Sequence, residues 1–397
     1  MVTEGAADVD PAVDADADDA DVDADSAAAT ETYPDGVDTD ARRLLYDLVS
    51  TPSVSGAEGD AAAVLVEFFA ANGREARVDA VGNVRAPATE PDPGDDVVLT
   101  SHVDTVPGEV PVRVETVPAA EARWGGEAVT GGSVPELWGR GAVDATGSLA
   151  AMAAAAVATG AGFVGVVGEE TDSRGARHLV ADRPAPAAVV NGEPSGWDGL
   201  TLGYRGFLTA EYRVTTESAH SSRPEPNAIQ HATDWWERVE AAVAGDDAGA
   251  VFESVTAKPV AVDGGLAADG HAVEATVDAQ FRIPPTASAA ELRAVVEDCT
   301  DRGTVVFEDA IPPTTASPRT DLARAFRVAV RNAGGDPSLL RKTGTADANL
   351  YDDAWDCPVV TYGPGDSALD HTPEERLPLP ELDRSVAVLS SVLRRLR

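Results

Sequence analysis

The sequence predicts an α/β protein with a mainly parallel sheet, interrupted by a smaller inserted α+β segment of ferredoxin-like order. Three observations predict it. Short apolar runs at Val97 to Leu99, Phe163 to Val167 and Ala187 to Val190 alternate with helical stretches, the pattern of a parallel sheet with crossover helices. From Thr201 to about Asp309 the order changes to an α+β succession, and after it the α/β texture returns. A length of 397 residues also suits two folded domains.

Each element follows from its local pattern. Residues 1–38 are rich in Asp and Ala and contain no Lys or Arg. They hold too little apolar surface to offset their ordering entropy, so a disordered acidic extension is expected. Leu44, Leu45, Leu48 and Val49 then recur at helical spacing up to Thr51–Pro52, and Val64, Leu65, Phe68 and Phe69 repeat the pattern up to Asn72–Gly73. Residues 114–135 are rich in Gly and Pro and read as a surface excursion. An Ala-rich helix is expected after Gly147. Inside the insertion, strands are expected around Leu208 to Val214, Val255 to Val262, Val273 to Ile283 and Thr304 to Phe307. Helices are expected there from Asn227 to Val243 and from Ala290 to Cys299. A helix from Asp321 to Asn332, a strand at Pro358 to Thr361 and a last helix from Leu382 to Leu396 close the chain. The expected division is 39–200 and 311–397 for the main domain, with 201–310 inserted.

Composition narrows the function classes. The formal charge is −38, which repels nucleic acid and anionic membranes. Lysine occurs only at Lys258 and Lys342. An acid excess spread along the whole chain, with lysine almost absent, favours adaptation to a cytoplasm of very high salt over a chain built for an acidic partner or for cation binding. The most apolar run, Leu149 to Val157, is far too short to span a membrane, and no secretory signal is visible. Cys299 and Cys357 lie far apart without a CxxC context and read as two small buried hydrophobes. These features fit a cytosolic enzyme.

The chemistry-bearing residues stand at strand exits beside Gly and Pro. They are His102 and Asp104 in SHVDTVPG, Asp144 in GRGAVDATG, Glu169 and Glu170 in VVGEETDS, Glu193 in NGEPSG, and His371 in LDHTPEE. Imidazoles and carboxylates together suit zinc or cobalt, and a carboxylate can bridge two ions. Open α/β sheets bind ligands at the carboxyl ends of their strands. His102 and Asp104 are two apart, so both are expected to face the same way, with Asp104 holding the second imidazole nitrogen. Glu169 and Glu170 are adjacent and diverge, which lets one bind metal and the other act as general base. His220 in SAHSSRP is a candidate donor to an oxyanion. His178, His231 and His271 read as surface or structural. Arg282 in QFRIPP can clamp a carboxylate, and the Gly344–Thr345 turn before a helix can bind an anion through its backbone. Asn227, at the start of its helix, is a further candidate substrate contact.

Taken in this order, from about residue 39 to the end, the motifs resemble the M20 family of metallopeptidases and amidohydrolases. The resemblance implies a zinc-peptidase-like main domain, an inserted lid and dimerisation domain, and two divalent ions per subunit. It implies that His102, Asp144 and Glu193 bind one ion, that Asp144, Glu170 and His371 bind the other, and that Asp144 bridges. Glu169 is then the general base, Asp104 the residue orienting His102, and His220 acts on the partner subunit's site in a homodimer. The strings NGEPSGWDGLTLGYRG, KTGTADANLY and VTYGPGDSALDHTPEE are most similar to the LysK branch, whose members release lysine or ornithine from the small amino-group carrier protein LysW. That branch cleaves an amide between the amino acid's α-amino group and the γ-carboxyl of the carrier's terminal Glu. The alternatives are a small-molecule deacylase of the same family, of the acetylornithine or succinyl-diaminopimelate type, and a non-catalytic binding member. One departure stands out: Thr146 occupies the position, two after the bridging Asp, where the family usually has Lys.

Overall fold

The computed structural model describes residues 33–89, 96–119, 132–244 and 250–396. Pro34–Arg397 form one compact unit; the other unit is Met1–Tyr33, of which Tyr33 alone is described. Most of the expected acidic extension therefore lies outside the described residues. Its last five residues do not behave as an extension: Val37 is buried, and Pro34 accepts its N–H in a turn that leads into the first helix.

The chain begins with α1 (Asp40–Ser50), α2 (Gly59–Ala71), β1 (Arg77–Val78), β2 (Val84–Ala86), β3 (Val97–His102), β4 (Arg113–Pro118) and β5 (Ser133–Trp138). There follow α3 (Thr146–Thr159), β6 (Gly162–Val166), α4 (Arg174–Asp182), β7 (Ala188–Gly192), β8 (Gly199–Tyr204) and β9 (Gly206–Glu217). Next come α5 (Ala228–Val243), β10 (Thr256–Leu266), β11 (Ala272–Ile283), α6 (Ala289–Asp298), β12 (Thr304–Phe307) and β13 (Thr314–Thr315). Last are α7 (Asp321–Asn332), β14 (Ser338–Lys342), α8 (Asp347–Ala354), β15 (Val359–Thr361), β16 (Arg376–Pro378) and α9 (Leu379–Leu396).

A nine-stranded sheet runs β1-β2-β6-β3-β7-β15-β8-β13, with β14 also paired to β8. Its centre, β6-β3-β7-β15, is parallel, while β2 beside β6 and β8 beside β15 run antiparallel. The central strands β3, β6 and β7 are buried except at Val97, which opens β3, as a sheet covered on both faces requires. Helix α3 is buried on nearly every side, packed against α1, α9 and β3. That is why it is Ala-rich and lacks a polar stripe: small side chains allow close approach from all directions. By contrast, α1 is amphipathic and starts at Thr39, whose hydroxyl accepts the Arg42 N–H.

Between the neighbouring strands β8 and β13 lies β9-α5-β10-β11-α6-β12, folded as a four-stranded antiparallel sheet in the order β10-β11-β9-β12. This is the ferredoxin-like arrangement. Strands β9 and β11 alternate buried and exposed residues, and the buried set packs with Trp235, which stacks on Tyr212 at 4.4 Å. Asn227 and Ser288 form capping boxes at the starts of α5 and α6.

Several elements differ from the sequence reading. The excursion at 114–135 carries two strands, β4 and β5, which pair with β16 in a small three-stranded sheet; residues 120–131 lie outside the described part. Strands β8 and β14 and helix α4 were not expected. Cys299 and Cys357 are free thiols, as read, but half-exposed and not fully buried.

Candidate metal centre

The sequence-predicted ligands converge from five chain regions. His102 ends β3, Glu193 directly follows β7, and Glu169 and Glu170 follow β6, so adjacent parallel strands deliver them to the same end of the sheet. Asp144 comes from the turn before α3, and His371 from the loop before β16. The two oxygens of Asp144 face different imidazoles: Oδ1 lies 3.2 Å from His102 Nε2, and Oδ2 lies 3.0 Å from His371 Nε2. His371 Nε2 is also 3.1 Å from Glu170 Oε1, and His102 Nε2 is 3.9 Å from Glu193 Oε1. His102, Asp144 and Glu170 bring ligand atoms within 4.8 Å of one another, close enough for one ion.

Backbone geometry makes these approaches possible. Gly141 has φ +84°, and a Cβ there would lie 2.7 Å from Thr146 Oγ1 and 2.8 Å from Thr105 Cγ2. Only glycine fits such a turn, and the small Thr146 packs directly beneath it. Glu375 is fully buried, and its Oε1 accepts the backbone N–H groups of Val143 and Asp144, each at 3.0 Å. Its other oxygen pairs with Arg140 at 2.8 Å. The Asp144–Ala145 peptide is cis.

Asp104 acts differently from expectation. It lies beyond the end of β3, and its backbone carbonyl, not its carboxylate, faces His102 Nδ1 at 2.8 Å; the carboxylate is 3.8 Å away. The carboxylate instead accepts the N–H groups of Glu169 and Glu170, each at 3.1 Å, and the Ser55 hydroxyl at 2.7 Å. It thereby fixes the turn that presents both glutamates. The strand ends at His102, two residues too early for the alternation argument to reach Asp104.

Electrostatics show a site short of positive charge. Burial pushes Glu193 up to about 8, with Asp144 adding to the shift. Burial and then Glu193 raise Glu169 well above the ordinary carboxylate range, and burial and Asp144 raise Glu170. Burial also opposes ionisation of Asp144, but the two imidazoles outweigh it and hold its pKa well below the usual range. His371 is raised to about 9 by its hydrogen bond with Asp144. Burial alone would lower His102, yet Asp144 and Glu193 outweigh it and raise it. Four crowded carboxylates and two imidazoles on a shared carboxylate form a donor set that divalent cations neutralise. The residues present therefore fit a metal centre.

The remaining expected contacts divide. Arg282 Nη1 donates to Thr345 Oγ1 at 3.1 Å, and its guanidinium lies over the Phe207 ring at 4.5 Å. Gly344 sits in an open turn. Asn227 spends its side-chain oxygen on the Gln230 N–H as a helix cap. His220 is exposed, with Nδ1 2.9 Å from Ser222 Oγ, and touches none of the ligands. His178 lies 3.8 Å from Asp79, and His231 lies 3.3 Å from Arg302. Sequence reasoning missed Glu375, Ser55 and Lys342. Glu375 and Lys342 had a signal, as a glutamate inside the LDHTPEE string and as the lysine that opens KTGTADANLY; Ser55 had none.

Fold and site together define a hydrolase-type metal centre on an α/β sheet, and comparison with known proteins names its family. Residues 98–395 match the model of Peptidase family M20/M25/M40. The chain belongs to that family. It is 38% identical to a [LysW]-lysine hydrolase of Deinococcus radiodurans over 90% of this chain and 97% of that protein. It is 35% identical to a putative [LysW]-lysine/[LysW]-ornithine hydrolase of Thermococcus kodakarensis, over 89% and 91%. A tripeptidase from Staphylococcus aureus shares the fold, with a TM-score of 0.70 and 20% identity over 91% of this chain and 99% of its own.

Proposed function

We propose that this chain is a binuclear metal-dependent amide hydrolase that releases lysine, ornithine or both from the γ-carboxyl of the terminal Glu of the carrier LysW. The observation that carries it is the Asp144 carboxylate set between two imidazoles, with Glu169, Glu170 and Glu193 around it. The names of the relatives from Deinococcus and Thermococcus support the carrier-linked substrate.

His102, Asp144 and Glu193 would hold one ion and Asp144, Glu170 and His371 the other, with zinc or cobalt suited to both. Such ions supply Lewis acidity towards the amide carbonyl and the attacking water. Glu169 takes a proton from that water and returns it to the leaving amine. One water is consumed, the C–N bond breaks, and the products are the carrier's free γ-carboxylate and the amino acid. Asp104 holds the Glu169 and Glu170 N–H groups and so fixes the base. Arg282, with Thr345 and the Gly344 turn, receives a substrate carboxylate.

The segment 201–310 serves as lid and dimerisation domain, and His220 of one copy donates to the oxyanion in the other. Support comes from β10, an edge strand whose Val260, Val262 and Leu266 are exposed. Unpaired, apolar edges of this kind favour pairing with another strand. The acidic composition supports adaptation to high salt. Among the described residues no helix is long and apolar enough to cross a membrane.

The test is parallel turnover of carrier-linked lysine, carrier-linked ornithine, Nα-acetyl-lysine and Nα-acetyl-ornithine by the metal-loaded enzyme. Preference for a carrier-linked substrate is expected. Preference for an acetyl substrate would make the chain a small-molecule deacylase, and turnover of none would make it a binding member.

A further inference from the structure

We propose that Lys342 is a specificity-determining residue whose ammonium receives the free α-carboxylate of the carrier's terminal Glu, on the acyl side of the scissile amide. The inference rests on the carrier-hydrolase reading above and names how that substrate is told from an acetyl one.

Lys342 ends β14, which lies parallel to β8. Its ammonium donates to the Pro194 carbonyl, directly after the candidate ligand Glu193. It stands close enough to both Glu193 and Asp370, the neighbour of His371, to lower the pKa of each. Yet no carboxylate comes within ion-pair distance of it among the described residues, although the chain holds 68 acidic residues. An ammonium has three donors, and one is used. Thus a half-buried cation with donors to spare faces the rim of the carboxylate cluster. Arginines elsewhere are mostly matched with acids, as Arg42, Arg85, Arg140, Arg174 and Arg376 show.

The substrate's chemistry supplies the partner. A γ-glutamyl amide of lysine at a chain terminus carries two free carboxylates, one on each side of the amide. The site has two separate cationic poles beside one turn: Arg282 on Thr345, and Lys342 three residues before it. An acetyl group has no acyl-side carboxylate, so a residue reading that group separates the two substrate classes. Specificity of this kind arises because the unmatched site leaves a desolvated charge unpaired.

The experiment uses the full-length, metal-loaded enzyme and a carrier-derived peptide ending in Glu, with lysine on its γ-carboxyl. The peptide is made twice, with the terminal α-carboxylate free or as a carboxamide. Wild type is expected to favour the free carboxylate by roughly 10–100-fold in kcat/KM, the worth of one charge-assisted hydrogen bond. Lys342→Met should abolish that preference while its turnover of the carboxamide stays near wild type, and Lys342→Arg should keep part of the preference. A Lys342→Met enzyme slowed equally on both peptides would reduce Lys342 to a clamp on the Pro194 turn and overturn the proposal. So would a wild type indifferent to the carboxamide. A wild type that cleaves neither peptide nor the intact carrier adduct, but cleaves acetyl-lysine, would sink the carrier reading and this inference with it.

Discussion

Removing Glu375 tests whether the candidate metal centre is held by a buried clamp. Glu375→Ala leaves two buried N–H groups, those of Val143 and Asp144, without an acceptor. Each orphaned donor costs about 1–3 kcal/mol. Arg140 loses its carboxylate but keeps the carbonyls of Gly108 and Thr372, which recover part of the loss. The expected destabilisation is about 3–5 kcal/mol, in the range for breaking a buried ion pair. Unfolding entropy of about 2.1 cal/mol/K per residue, over the unit Pro34–Arg397, converts this to a fall in Tm of about 5 °C. Glu375→Gln keeps an oxygen for both N–H groups and should lose only about 1–2 kcal/mol. Thermal melting in molar KCl, followed by circular dichroism, reads the stability. Metal content after desalting reads the site, and the Ala variant should retain less than wild type because Asp144 is no longer fixed. An Ala variant that melts within about 1 °C of wild type and keeps its metal would refute the reasoning.

Four further outcomes are expected. Glu169→Gln should keep metal and substrate binding while kcat falls by roughly two to four powers of ten; wild-type kcat would sink its role as base. Mixing inactive His220→Ala chains with inactive Glu169→Gln chains should restore part of the activity, since one hybrid site holds both native residues; confirmed heterodimers without recovery would argue against action in trans. Burial raises Glu381 to about 7, although it accepts the Trp197 and Gly365 N–H groups. Its proton is bound more tightly when folded, so its contribution is full below about pH 4.5 and is lost as pH rises to about 7. Glu381→Gln should therefore be more stable than wild type by up to about 3 kcal/mol at pH 8 but not at pH 4, and a pH-independent difference in melts would contradict this. Lastly, for a carrier that is itself acidic, KM for carrier-linked substrate should fall as KCl rises from 0.1 M towards several molar, because two acidic partners repel until screening shortens to about 3 Å; a KM that climbs with salt over the folded range would show that attraction dominates.

The candidate ligands were legible because each sits in a short string where a strand runs into a Gly or Pro turn. His102, Glu169, Glu170 and Glu193 leave three adjacent parallel strands, so the alternation that predicted those strands also predicted where the residues meet. The inserted βαββαβ order was legible for the same reason: β9 and β11 keep a strict two-residue period. What failed was the inference that carried strand alternation past a strand's end. Asp104 lies past the end of β3, so its carboxylate turns to the Glu169 and Glu170 N–H groups instead of to His102. Strand β14 went unseen because its outward residues are exposed and its pattern carries no alternation. Glu375 was hidden because its role exists only through contacts more than two hundred residues away in sequence.

The acidic composition and the candidate centre pose the same physical problem at different depths. On the surface, excess carboxylates are solvated and salt screens them. At the centre, Glu169, Glu170 and Glu193 lose solvent and shift upward towards neutrality. They can remain ionised only where cations stand close, and the chain places few of its own there. His102 and His371 share one carboxylate, and among the described residues Lys342 hydrogen-bonds only the Pro194 carbonyl. The deficit of positive charge is therefore built into the site, and it is what divalent ions and a substrate ammonium would relieve. A carboxylate-bearing substrate would be repelled by the same deficit unless Lys342 and Arg282 met it. In so acidic a chain, that is the role proposed for these two cations: to select which anions are admitted.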